Sequence, residues 1–234
     1  MIDSKGFQYT GTDNLEVMAE AVNYNAFLAG LVDRYCAGSH RIIDFGAGIG
    51  TFAVPLHMLD RDIIAVEPDE SQCQRMASLG LNCVPEIDMI PDGWADAIYS
   101  INVLEHIEDD EATLKKIYAK LKPGGRLFIY VPAFQLLYSC MDRKVGHFRR
   151  YERAGLVAKA ANSGLQVTEA RYVDSLGFLA ALMYKWRSDN SGDLNRTALK
   201  IFDRFVFPIS RLLDRLTSAW FGKNLILVAT KRAD

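Results

Sequence analysis

"RIIDFGAGIGTFAVPL" (residues 41–56) decides the fold. Ile42 and Ile43 read as a buried strand that ends in an acid, Asp44, and Thr51 to Leu56 reads as the start of a helix. Between them Gly46, Gly48 and Gly50 leave the backbone without side chains. Such a stretch can turn sharply and lets a ligand lie directly against the main chain. A strand, a bare turn and a helix N-terminus together make a site for a nucleotide-like ligand.

Working outward, strands and helices alternate. "DIIAVE" (62–67) is the second strand, Asp69 caps a helix that Gly80 ends, and "LNCV" is a short third strand. "ADAIYSI" (95–101) is the fourth strand, Glu108 to Leu121 is an amphipathic helix, "KPGG" is a turn, and "RLFIYVP" (126–132) is the fifth strand. After an irregular stretch, a helix from about Glu152 to Asn162 leads to "LQVTEARYV", the sixth strand. "NLILVATK" (224–231) is a last strand placed antiparallel at the edge. This beat specifies an open, mostly parallel α/β sheet, Rossmann-like, with helices on both faces and a helical insertion before the last strand. The chain divides as a single domain over 1–234. It has a helical N-terminal cap (1–40, with a leading helix at 13–37), a ligand-binding core (41–132), a substrate segment (133–163) and the insertion (174–221).

The 234 residues are half hydrophobic and 24% charged, which suits a globular domain. A formal net charge of −2 gives no electrostatic footprint for nucleic acid. Cys36, Cys73, Cys83 and Cys140 have no CxxC pair and no metal-ligand spacing. They read as reduced thiols of a cytoplasmic protein without a metal. Neither a signal-peptide core nor a membrane-spanning run is present in the sequence.

A dinucleotide loop takes the form GxGxxG, whereas here Gly46 and Gly48 are followed by Thr51 in the third position. Glu67, at the end of the second strand, falls 21 positions after Gly46, where a carboxylate accepts both ribose hydroxyls. "DFGAGIG", "AVEPDE", "PDGWADAIYSINVLEHIEDD" and "LKPGGRLFIYVPA" resemble, in order and spacing, the successive motifs of class I S-adenosylmethionine-dependent methyltransferases. The resemblance is close over 41–132 and looser beyond. It implies a seven-stranded sheet with an antiparallel hairpin at one edge, and S-adenosyl-L-methionine as cofactor. By the same resemblance Asp44, Gly46, Ala47 and Gly48 hold the methionine part, Glu67 the ribose, and Pro68 lies against the adenine. Ile87 and Asp88, with Glu86, flank the base, and Ser100 and Asn102 face the sulfonium. Tyr24 and Tyr9 either close the pocket from the leading helix or simply pack.

Transfer then needs an in-line nucleophile and removal of a proton. "NVLEHI" offers Glu105 and His106, the histidine either supporting the loop or working as an acid or base. "FQLLYSCMDRKVGHFRRYERAGL" (134–156) follows the fifth strand, at the carboxyl ends where α/β sites lie. There His147 is the candidate general base, Arg149 and Arg150 a clamp for an acceptor anion, and Tyr138 and Tyr151 further acceptor contacts. The expected activity is methylation, at oxygen, of a small-molecule or lipid-linked acceptor. A nicotinamide-dependent oxidoreductase and a non-catalytic binding module are the alternatives. "LGFLAALMYKW" (176–186) and "LKIFDRFVFPISRLLDRLTSAWF" (199–221) form amphipathic helices, the second divided at Pro208. Their apolar face either packs on the sheet or a second subunit, making a homodimer, or meets a membrane interface or a greasy acceptor. The mixed charges argue against strong attraction to anionic lipid.

Overall fold

A computed structural model describes residues 18, 20–187 and 196–233. Tyr9, positions 13–17 of the expected leading helix and Ala19 lie outside the described residues. The elements are α1 (Val22–Tyr35), β1 (Arg41–Phe45), α2 (Ala53–His57), β2 (Asp62–Val66), α3 (Glu70–Ser78), β3 (Asn82–Val84) and β4 (Ala95–Ile101). There follow α4 (Asp110–Lys120), β5 (Leu121–Pro132), α5 (Cys140–Lys144), α6 (Arg153–Asn162), β6 (Gln166–Val173), α7 (Ser175–Arg187), α8 (Arg196–Ile201), α9 (Phe207–Thr217) and β7 (Asn224–Thr230). Asp69 caps α3 as its sequence demands, accepting from the Ser71 and Gln72 amides.

The seven strands form one sheet in the order β3-β2-β1-β4-β5-β7-β6. β7 runs antiparallel to both neighbours. It therefore lies one place in from the edge, and β6 is the outer strand of that antiparallel pair. Alternate side chains feed two cores. Ile43, Ile98, Leu127, Ile129 and Leu227 face the layer of α4 and α6, while Ile42, Tyr99, Phe128, Tyr130 and Ile226 face α1 and Phe207. Each fully buried large side chain contributes about 1.5–3 kcal/mol relative to exposure. The "KPGG" segment is a bulge inside β5, because Ala95 pairs with Leu121 and Ala97 already with Arg126.

Two details depart from the sequence reading. Cys73 on α3 and Cys83 on β3 form a disulfide, Cα atoms 5.5 Å apart, so these are not reduced thiols. The reversal at Gly80 folds the strand back beside the helix and brings the two positions together, which spacing alone does not announce. The insertion, moreover, turns acids inward. Asp203 accepts from the Asn23 and Tyr24 amides at 2.9 and 2.8 Å, satisfying the first turn of α1. Asp214 does the same for α7 through the amides of Asp174 and Ser175. A π-helical turn over Phe202–Val206, with Pro208 in the first turn of α9, divides the long helix at the expected place.

Candidate active site

The glycine loop continues the sheet beyond its strand, since the Gly46 and Ala47 amides both donate to the Val66 carbonyl. Gly46 (φ +81°) admits no side chain, because a Cβ would collide with Val103. The Gly48 amide donates to Glu67 Oε2 at 2.8 Å, and the Asp69 amide donates to Oε1 at 3.0 Å. Glu67 thus ties the loop to the end of β2. Two of its roughly four lone-pair positions are used, which leaves acceptor capacity of the kind ribose hydroxyls need. Burial pushes its carboxyl up, and the two backbone bonds oppose that. Asp44 is buried, with Oδ2 lacking any partner in the protein. Burial raises it to about 7, against the Tyr99 hydroxyl beside it. An amino-acid ammonium lying along the loop would supply the donor that Asp44 Oδ2 lacks, so the residues fit a nucleoside with an amino-acid tail.

At the end of β4, Ser100 Oγ is buried without a partner, and Asn102 takes a left-handed backbone (φ +54°). The Tyr24 hydroxyl sits beside Asn102 and Tyr130; burial raises it to about 12. Its ring also packs edge-on against Phe207, so the packing expected of Tyr24 is there. Pro68 is exposed at the tip of β2, and Ile87 is buried in the core. Asp88 pairs with Lys116 on the outer surface of α4.

Titratable side chains gather in the segment that follows β5. His147 Nδ1 lies 2.8 Å from Asp142 Oδ1, and Nε2 lies 3.9 Å from Glu105 Oε1. Asp142 is fully buried, which disfavours its charge. Hydrogen bonds from His147, from Arg150 (2.8 and 3.0 Å) and from the Ser139 amide nonetheless hold its carboxyl well below the usual range. The imidazole Nδ1–H therefore donates to an ionised carboxylate, and Nε2 is the ring nitrogen turned away from Asp142. His106 meets His147 edge-to-face at 4.5 Å; burial and that neighbour lower it to about 4, leaving it neutral. Glu105 is buried with neither oxygen partnered, and burial raises it to about 8. The ligand atoms of Glu105, His106 and His147 lie within 4.8 Å of one another, close enough to share one cation or one proton.

The other expected acceptor contacts are engaged within the protein. Tyr138 OH donates to the His147 carbonyl at 2.6 Å and fixes the loop. Arg149 pairs with Asp110 at 3.0 Å and donates to the Glu108 carbonyl. Arg150 grips Asp142 with two bonds, and the Tyr151 hydroxyl is held by Leu104 O and Asp110. The arginine clamp is thus spent on the loop's own architecture. Asp142 was given no role by sequence reasoning, yet it is the carboxylate that holds His147 and Arg150. Its signal was the Ser139–Asp142 spacing of a capping box, which the structure forms at the start of α5. Lys223, at the foot of β7, was also missed. With Tyr24, Asp174, Phe202 and Phe207 it lines a cavity of about 20 Å³, where burial lowers its amine. A cleft of about 600 Å³ beside Tyr118, Val157 and Gln166 belongs to the opposite end of α4 from Asp110.

A methyltransferase-domain family model matches residues 5–170. A ubiquinone biosynthesis O-methyltransferase from Bradyrhizobium diazoefficiens is 28% identical over 102 residues, which is 40% of this chain and 40% of that protein. The chain thus matches well under half the length of this curated relative. The fold aligns with an S-adenosylmethionine-dependent methyltransferase from Archaeoglobus fulgidus at a TM-score of 0.60 and 17% identity, over 88% of this chain and 94% of that one. A second such enzyme, from Thermotoga maritima, aligns at 0.61 and 19% identity, over 96% and 98%.

Proposed function

The chain belongs to the methyltransferase-domain family and works with S-adenosylmethionine; from that premise we propose that it methylates a hydroxyl of a small-molecule or lipid-type acceptor, with His147 as the base. The observation that carries this reading is the Asp142–His147 pair. A hydroxyl becomes a good nucleophile only as its proton leaves, so a positioned base is of most use to oxygen. A neutral amine has its lone pair already.

When bound, the cofactor supplies an electrophilic methyl group on a sulfonium. The loop from Gly46 to Gly48, with Asp44 and Glu67, binds and orients it. His147 Nε2 takes the acceptor proton, and the imidazolium that forms is stabilised by Asp142, itself fixed by Arg150. Glu105 Oε1, at 3.9 Å, is outside hydrogen-bond reach and does not consume the Nε2 lone pair. Exposed Leu136 and Phe148 lie within this segment and suit an acceptor with apolar parts. The similarity to ubiquinone biosynthesis O-methyltransferases supports the same reading, since those relatives methylate oxygen.

Labelled S-adenosylmethionine offered with a catechol carrying an isoprenoid tail, and with the ring in which an amine replaces the hydroxyl, tests it. The catechol should take label into an ether at least about a hundredfold faster, the smaller end of what a positioned base supplies. Equal or faster labelling of the amine would refute transfer to oxygen.

A further inference from the structure

The insertion has its polarity turned inside out. Asp203, Phe207, Ser210 and Asp214 form the buried stripe of the helix that runs from Arg196 to Thr217. The two acids and the serine are bonded inward, to the amides of Asn23, Tyr24, Asp174, Ser175 and Leu176. The outward stripe is apolar: Ile201, Phe205, Ile209, Leu212, Leu216 and Trp220 are 54–73% exposed. α7, packed against α9, adds exposed Leu179, Met183 and Trp186. Exposed apolar surface on this scale marks an interaction site.

With both acids buried, the exposed charges from 196 to 221 are all basic: Arg196, Lys200, Arg204, Arg211 and Arg215. Arg196 and Lys200 face Glu20 at 3.6 and 3.1 Å. Arg211 lies over the Phe27 ring at 3.8 Å. The charge balance that argued from sequence against anionic lipid therefore does not exist at the surface. No helix of the described residues is long and apolar enough to cross a membrane.

We propose that this face, Ile201 to Trp220 with α7, docks the protein in the interface of an anionic lipid membrane. A wide apolar stripe bordered by cations is the arrangement such interfaces hold. A second copy fits less well, because the exposed charges bordering the stripe are all basic and would oppose one another across the contact. Phe202 and Phe207 of the insertion also line the cavity beside Tyr24, so docking places the membrane next to the site.

Flotation of the full chain with vesicles tests the proposal, and it stands whatever the acceptor proves to be. Wild type should float with vesicles containing phosphatidylglycerol, less with phosphatidylcholine alone, and less again as salt rises. Leu212→Glu with Leu216→Glu should weaken partitioning about a hundredfold, the loss expected from two leucines denied burial. Arg204→Gln with Arg215→Gln should weaken it roughly tenfold to thirtyfold, and only on anionic vesicles. Thermal unfolding of the variants, unchanged because all four side chains are exposed, excludes a folding defect. Failure of the wild type to float, or equal flotation of the Leu212→Glu/Leu216→Glu variant, would overturn the proposal. So would a lipid-free dimer that this double variant dissociates while vesicles bind neither form, which assigns the face to a second copy.

Discussion

Replacing His147 with alanine should lower kcat by about 10²–10⁴-fold while leaving S-adenosylmethionine affinity unchanged. The proton acceptor is lost, but the loop from Asp44 to Gly48 and Glu67 is built from other elements. The His147 side chain contacts Asp142, Glu105 and His106, none of which belongs to the glycine loop. Steady-state rates paired with calorimetric cofactor binding separate the two effects. A variant with normal kcat would remove His147 from the chemistry, and one that lost cofactor affinity would make it a binding residue instead.

The second large effect is on stability. Asp142→Ala should destabilise the fold by about 3–5 kcal/mol, because it leaves the Arg150 guanidinium buried and unpaired. The Asp142 side chain is 0% exposed and that of Arg150 4%, and two of the bonds lost run between them. The Ser139 amide and His147 lose their acceptor as well. For a chain of this size the melting temperature should fall by roughly 10 °C or more. A melt within a degree or two of wild type would mean that Arg150 finds another partner and that the loop does not depend on this carboxylate. Asp142→Asn tests orientation more finely: it preserves shape but can present His147 with a donor in place of an acceptor, so catalysis should fall further than stability.

Much of this was legible because it is local. The strand–glycine–helix transition at 41–56, the cap at Asp69 and the breaker at Gly80 are each decided by neighbours a few residues away. The spacing of Gly46 and Glu67 pointed to a ribose carboxylate, whereas its bond to the Gly48 amide was not foreseen. The position of β7 was also readable in principle. "NLILVA" is a continuous apolar run buried on both faces, as an interior strand requires. The antiparallel pair expected at one edge of the sheet is there, with β6 outermost.

What was hidden depended on distant partners. The apolar stripe of 199–221 was found correctly, yet its direction turns on Asp203 and Asp214. Those acids cap helices beginning 180 and 40 positions earlier in the chain. No periodicity within the helix can reveal that its polar side is the one wanted inside. Arg149 and Arg150 looked like an anion clamp for the same reason, since Asp110 and Asp142 claim them only once the loop folds over α4. The Cys73–Cys83 bond likewise follows from a chain reversal.

The central claim is that the glycine loop, Asp44 and Glu67 hold S-adenosylmethionine. Calorimetric titration of S-adenosylmethionine and its demethylated product into the wild-type chain and Glu67→Ala, with NAD as control, tests it most directly. Saturable binding of both sulfur ligands by the wild type, lost or sharply weakened in the variant and absent for NAD, is the predicted result. Equal affinity in the two proteins, or binding of NAD in place of the sulfur ligands, would contradict it.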